Sequence, residues 1–378
     1  MPASPSKAAA LALTALALSA CGSAPSAQTS ATGMSAATAT SAQDLGGMDA
    51  LIAAAKKEGT LNTIALPRDW ANYGLLIDGF AKKYGIKVTV DNPNGSSQDE
   101  ISAVTSRKGQ DRAPDVLDLG SSFAISATQQ GLLAPYKVAA WDDIPSTQKD
   151  AQARWYNDYG GYISIGCDAK RVTTCPTTFA DLLKPDYKGM VAIPGDPTKS
   201  GASFAALYAA SLAGGGSFDD IQPGVDFFAK LKQNGNYTPV EATPATVEKS
   251  ETPITVDWDY INAGYAKSFA AKGVDWKVAV PADGKFSLFY SQAINKDAPH
   301  PAAARLWEEY LYSAEGQNLW LKGYARPVLM AAMDKAGTLD KAAANLPEVS
   351  GTATFPTEEQ QAKAKNAVTS GWGKAISG

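Results

Sequence analysis

The run Asp257-Trp258-Asp259 is the part of this chain best suited to hold a cation. A carboxylate beside an indole suits an ammonium group. Charge pairing adds to a cation–π contact of ~1–2 kcal/mol once water is excluded. Asp259 is expected to cap the helix that follows, which leaves Asp257 and Trp258 for a ligand. A second run, Asp196-Pro197-Thr198-Lys199-Ser200-Gly201, offers the opposite chemistry. Free N–H groups at a helix start, the Ser200 hydroxyl and the close approach that Gly201 permits form an anion site. Plain helix capping by Ser200 is the competing use. The run is not a P-loop, because no Gly-Lys-Ser/Thr follows Gly195 at the required spacing. Trp70 and Asn72 lie just after a strand-like run, and Ser121 and Ser122 after another. Strand ends that meet helix starts are where α/β sheets place their ligands. Trp70 would touch a ligand or pack on the next helix, and a serine at 121 or 122 would cap a helix, contact a ligand, or both. Tyr290, with Tyr159 and Tyr324, would add a wall or fill the core.

Other chemistries are excluded by counting. The single histidine, His300, sits between two prolines and reads as a helix-start residue. Three cysteines cannot close an all-thiolate zinc site. No catalytic residue, metal or cofactor is expected. Net charge is −4, both signs are dispersed, and no basic stripe exists, so nucleic acid is not an expected partner.

The elements that must position these residues alternate in type. Helical periodicity at 48–59, 73–84, 97–107 and from 121 onward is interleaved with strand-like runs at 61–66, 86–90 and 115–119. That alternation predicts a parallel sheet covered by helices. A second α/β unit follows, with strands at 162–166, 190–194, 253–256 and 276–280 and helices at 201–213, 225–234 and 259–271. After a strand at 286–294, the tail is helical at 301–312, 316–322 and 358–370. It has no sheet of its own, so it is expected to complete the first unit.

Residues 1–20 read as a signal peptide, with one charge at Lys7 and an apolar run too short for a ~20-residue membrane span. The run ends in Leu18-Ser19-Ala20-Cys21, which looks like a bacterial lipobox. Cys21 would then be lipidated, and two acyl chains give firm anchoring. Residues 22–43 carry no charge and little apolar bulk, so residues 21–47 are expected to be the lipidated cysteine and a flexible tether. An exported protein keeps its disulfides, and Cys167 and Cys175 are expected to form a small local one.

Several segments resemble the solute-binding lipoproteins of ABC importers, in the branch of ferric-ion, polyamine and aminophosphonate binders. They are Lys57-Glu58-Gly59, the run at 80–88, Ala113-Pro114-Asp115-Val116-Leu117-Asp118, the run at 131–136, Pro185-Asp186-Tyr187-Lys188-Gly189 and the 196–201 run above. Ala298-Pro299-His300-Pro301, Ser313-Ala314-Glu315-Gly316-Gln317 and Gly323-Tyr324-Ala325-Arg326-Pro327 complete the set. The resemblance implies a two-lobed α/β fold of the type II periplasmic-binding-protein kind, each lobe a sheet flanked by helices, joined by hinge strands. Lobe 1 would be 48–162 plus 283–378, and lobe 2 would be 163–282. It also implies a monomer, held outside the cell membrane by its lipid, that delivers a small charged solute to a permease and its ATPase. Polyamine binders of this branch use Trp and Asp. Ferric binders use adjacent tyrosines, and this chain has no Tyr-Tyr pair. An amine-bearing solute is therefore expected, either a polyamine or a zwitterion such as an aminophosphonate or amino acid. A ferric-ion or sugar-phosphate binder and a ligand-sensing partner of a membrane receptor are the alternatives.

Overall fold

The computed structural model describes residues 34–347, 349 and 354–377. The signal peptide and Cys21 lie outside them. In chain order the first elements are α1 (Met48–Glu58), β1 (Thr60–Ile64), α2 (Tyr73–Tyr84), β2 (Lys87–Asp91), α3 (Ser97–Ser106), β3 (Val116–Gly120), α4 (Ser121–Gln129) and β4 (Leu133–Ala134). A long strand, β5 (Tyr156–Asp168), leads to α5 (Phe179–Leu182), β6 (Val191–Ala192), α6 (Gly201–Ala213), α7 (Gln222–Gln233) and α8 (Pro244–Glu248). Then come β7 (Ile254–Trp258), α9 (Asp259–Phe269), β8 (Trp276–Ala279) and β9 (Ser287–Asn295). The tail holds α10 (Pro301–Leu311), α11 (Ala314–Lys322), β10 (Arg326–Pro327), α12 (Met330–Ala336) and α13 (Glu358–Ser377).

The long strand divides the molecule. The first half of β5 pairs antiparallel with β9 and β10, and its second half pairs antiparallel with β7 and β8. β3 and β4 complete the first half of the sheet against β9, and β6 completes the second against β7. Of the strands, β5 alone pairs in both halves, and the chain crosses back between the lobes in the segment that joins β8 to β9. The all-parallel sheet expected of the first unit is not what forms. Only β1 and β2 pair parallel there, as a separate two-stranded sheet, while β3 runs antiparallel to β9. The reason is tertiary. β9 returns from the second lobe in the opposite direction and takes the edge of β3 that a further βαβ unit would otherwise have filled.

Helix starts are satisfied from afar. Glu58 of α1 accepts the Ala302 and Ala303 N–H groups at the start of α10, at 3.0 and 2.8 Å. His300 precedes that helix as expected, its Nδ1 2.9 Å from the buried Asp115 carboxylate. Asp115 also accepts the His300 and Asn62 N–H groups, which ties β1, β3 and α10 together.

Two expectations about the chain ends change. The expected flexible tether is folded down from residue 35. Ala36, Ala39, Ala42 and Leu45 are buried, because alanines are small enough to lie flat on the first lobe. Within the segment Asp44 accepts the Thr40 and Ser41 N–H groups, and the buried Arg305 of α10 adds a polar partner from outside it. Its Nε and one Nη donate to the Ala39 and Ala37 carbonyls at 2.8 and 3.2 Å. At the other end, α13 does not belong to lobe 1 alone. It packs on α7 through Trp372, whose ring lies 5.9 Å from that of Phe228, and it reaches α4 through Lys365.

Cys167 and Cys175 are bonded, with Cα atoms 5.8 Å apart. So short a loop restricts the unfolded chain only modestly, by about 2–3 kcal/mol. Thermal melts with and without reductant should differ accordingly, and coincident melts would contradict the assignment.

Candidate ligand-binding site

A cavity of about 420 Å³ lies between the lobes. From lobe 1 it receives the loop after β1, the start of α3, Asp118 of β3 and Tyr290 of β9. From lobe 2 it receives the approach to α6, the turn before α8, Asp257 of β7 and one face of α9.

The loop after β1 is held in an uncommon shape. Ala65, Ala71 and Asn72 adopt left-handed backbone with φ of 56°, 43° and 73°, a region that side chains rarely enter. This turn delivers Trp70 to the cavity. Its Nε1 donates to the Tyr159 hydroxyl at 2.7 Å, and that hydroxyl donates to Asp118 Oδ2 at 2.8 Å. The Trp70 ring meets Tyr290 and Tyr260 edge-on at 5.7 and 5.9 Å. An indole and a phenol are thus fixed in orientation on one wall.

Charge is the cavity's most uneven property. Seven carboxylates line it, from Asp69, Asp99, Glu100, Asp118, Asp196, Glu241 and Asp257, against one lysine, Lys199. Three of the acids are buried. Asp257 accepts the Trp258 N–H through Oδ1 at 2.7 Å, while Oδ2 has no partner among the described residues. Burial pushes this carboxyl up to about 7, and the one backbone hydrogen bond offsets little of that. Burial also raises Asp118, with hydrogen bonds from Tyr159 and Tyr73 pulling the other way. Glu100 accepts the Asp118 N–H at 2.9 Å and is raised by burial, then by the Asp118 charge. A cation entering here would meet acids that lack a counter-charge.

At one point the lobes touch through backbone. Gly120, at the start of α4, and Gly201, at the start of α6, sit so close that a Cβ on Gly201 would lie 3.0 Å from Gly120 Cα. Beside them, the Gln98 N–H donates across to the Lys199 carbonyl at 3.3 Å. Gly201→Ala should hold the lobes slightly apart. Solute affinity should fall by about tenfold, the loss of one interlobe contact worth ~1.4 kcal/mol, with the melting point of the free protein little changed. Equal affinity for the two proteins in calorimetry would show that this contact does not limit closure.

The residues expected at the site divide into two sets. Trp70, Ser200, Gly201, Asp257 and Tyr290 are brought together around the cavity. Ser200 caps α6, its hydroxyl accepting the Ser203 N–H at 3.3 Å. Trp258, Ser121, Ser122 and Asn72 do not line it. Trp258 is buried behind Asp257 and stacks on Tyr260 at 6.0 Å, since neighbours on a strand point to opposite faces. Its replacement by alanine would empty a core position rather than strip a ligand contact. Ser121 opens α4 directly after β3 with Gly120 as the cap, and its hydroxyl donates to the Phe289 carbonyl at 2.7 Å. Ser122 is buried inside the lobe. Asn72 turns outward and donates to the Leu319 carbonyl at 2.8 Å, tying α2 to α11. Asp259 does not cap α9 either. It is the first residue of that helix, accepts the Tyr162 N–H and pairs with Arg326. Tyr159 stands behind Trp70, and Tyr324 lines an outer groove.

Glu100, Asp118 and Glu241 were missed. Asp118 carried a signal, because an acid within Val-Leu-Asp-Leu is out of place on an apolar strand unless it has work to do. Glu100 lies three or four positions from Ser97, Ala103 and Val104, on the inner face of α3. Glu241 carried no signal, since it sits in a loop placed only by the tertiary fold.

Residues 111–349, more than half of the chain, match the family model described as bacterial extracellular solute-binding protein. None of the curated proteins matches the chain closely enough to serve as a relative. Among solved structures, it is similar to the periplasmic binding protein AfuA of Actinobacillus pleuropneumoniae with exogenous fructose-6-phosphate bound. Identity is 19%, coverage 84% of this chain and 99% of that one, and the TM-score 0.65. The apo ferric ion-binding protein A of Pasteurella haemolytica is similar at 19% identity, covering 84% and 98%, with a TM-score of 0.63. So is the binding protein AgtB of A. tumefaciens R10 in complex with agropinic acid, at 18% identity, covering 85% and 99%, with a TM-score of 0.64.

Proposed function

This chain belongs to the bacterial extracellular solute-binding protein family, and from that premise we propose that it captures a small amine-bearing cation between its lobes and hands it to an ABC importer. It performs no chemical step on its cargo. The observation that carries the reading is the excess of carboxylates around the cavity, with one oxygen of the buried Asp257 unpaired. An ammonium group placed there gains charge pairing in a site where water no longer screens it. Trp70 and Tyr290 supply π-faces beside it. A polyamine, with several ammonium groups, matches acids contributed by both lobes. Ligand contacts to both lobes at once are what favour the closed arrangement.

A second reading, a zwitterion such as an aminophosphonate or amino acid, draws on Lys199 and the α6 start in the same cavity. Two of the structural neighbours' cargoes named above, a sugar phosphate and a ferric ion, fit less well. A phosphate would sit among seven carboxylates, and the lining tyrosines, Tyr265 and Tyr290, come from separate elements.

A thermal-shift and calorimetry series decides among these. Spermidine and putrescine are expected to raise the melting point strongly, by mass action on the folded form. 2-Aminoethylphosphonate and γ-aminobutyrate should act weakly, and fructose-6-phosphate and Fe(III) not at all. Binding of the anion or the metal with no response to amines would overturn the proposal. The delivery role rests on the lipidated Cys21 and on a permease with its ATPase as partners. No helix among the described residues is long and apolar enough to cross a membrane. Loss of uptake on deleting the permease, with binding intact, tests the importer; survival of uptake favours the sensor alternative.

A further inference from the structure

The last helix lies beyond the residues that match the family and touches both lobes. Its grip on lobe 2 is aromatic and hydrogen-bonded. Trp372 packs between Phe228 and Tyr237, with ring centres 5.9 and 6.5 Å away. The Tyr208 hydroxyl donates to the Gln360 carbonyl at 3.1 Å, and the Gln360 amide donates to Asp219 at 3.1 Å. Its grip on lobe 1 is different in kind. Lys365 Nζ lies 2.9 Å from the centre of the Phe123 ring on α4, buried and with no hydrogen-bond partner among the described residues. Phe123 follows closely on Gly120, where α4 meets α6 of the other lobe.

We infer that α13 is a clasp, carried on lobe 2, that holds lobe 1 through Phe123 in the closed arrangement and lets go of α4 when the cleft opens. The two contacts cannot both survive a rotation of the lobes about β5, because α4 and α7 belong to different lobes. The lobe 1 contact is the one that yields. A desolvated ammonium with only a π-face for company regains water on release, whereas exposing Trp372 would cost apolar burial. Such a balance sets how much of the free protein rests closed, and so scales the apparent affinity for any solute. It does not depend on which solute is bound.

Hydrogen exchange of the full chain without added solute tests this, because amide protection reports local opening. Lys365→Met keeps the stem and removes the charge. It is expected to slow exchange about tenfold, ~1.4 kcal/mol, in α4 and at the Gln98 amide that bridges the lobes. Trp372→Ala is expected to hasten exchange in α13, in α4 and at Gln98 together. A helix that merely covers lobe 2 would show changes in α13 and α7 alone. That result, or an unaltered Gln98 amide in both variants, would overturn the inference.

Discussion

Asp257→Asn is expected to weaken spermidine binding by about 30- to 5,000-fold at pH 8, since removing one member of a buried charged pair costs about 2–5 kcal/mol. The substitution keeps the shape of the side chain and its acceptor for the Trp258 N–H, so the fold should persist. The same carboxyl makes binding pH-dependent. Burial holds Asp257 up to about 7, well above its ordinary 3.8. Below pH 7 it carries a proton and offers an ammonium no charge. Spermidine affinity should therefore fall about tenfold per pH unit beneath ~7 and level off above it. Stability of the free protein runs the other way. A carboxyl raised on folding binds its proton more tightly in the folded state. Its contribution is greatest at low pH and is lost as pH rises from about 4 to about 7. The thermal shift produced by spermidine should consequently grow across that window. An Asp257→Asn protein that binds spermidine within threefold of the original, with an unchanged pH profile, would remove Asp257 from the site.

Arg326→Ala is expected to cost about 3–5 kcal/mol of stability, because it leaves a buried carboxylate without its cation. Arg326 of β10 and Asp259 of α9 pair across the lobes at 2.5 Å, and Asp259 is fully buried. Arg326 also lies over the Tyr162 ring at 4.9 Å and donates to the Pro347 carbonyl at 2.8 Å. Adding Asp259→Asn should recover much of the loss, since the charge is gone while an oxygen remains for the Tyr162 N–H. Urea melts of the two proteins measure this directly. Equal midpoints for Arg326→Ala and the original would mean that the pair contributes nothing.

Much of this was legible in the residues. Trp70, Ser200, Gly201 and Asp257 stand where a strand ends or a helix begins, and local punctuation gives such places away. The helix at 73–84 and the small-residue helix at 201–213 occur with the bounds that periodicity predicts. What failed was whatever depends on facing. Asp257 and Trp258 are neighbours in sequence but point to opposite sides of β7, so one reaches the cavity and the other the core. Asp118 and Glu100 turn inward from different elements, and only the packed fold makes them one acidic wall. β4 and β10 are two residues long, too brief for any pattern. The 34–47 segment looked incapable of order because its own side chains bury little. Arg305, far along the chain, adds a polar partner from outside it.

Gly120 and Gly201 bring peptide groups, not side chains, to the place where the halves meet. The end-point of the swing is then written into the main chain and owes nothing to the guest. A diamine and a longer amine would leave the shut molecule with one and the same silhouette. The membrane machinery it visits could read that silhouette as a plain yes or no. Cargo preference would then be free to drift by changes at Trp70 or Glu241 without the docking face having to drift with it.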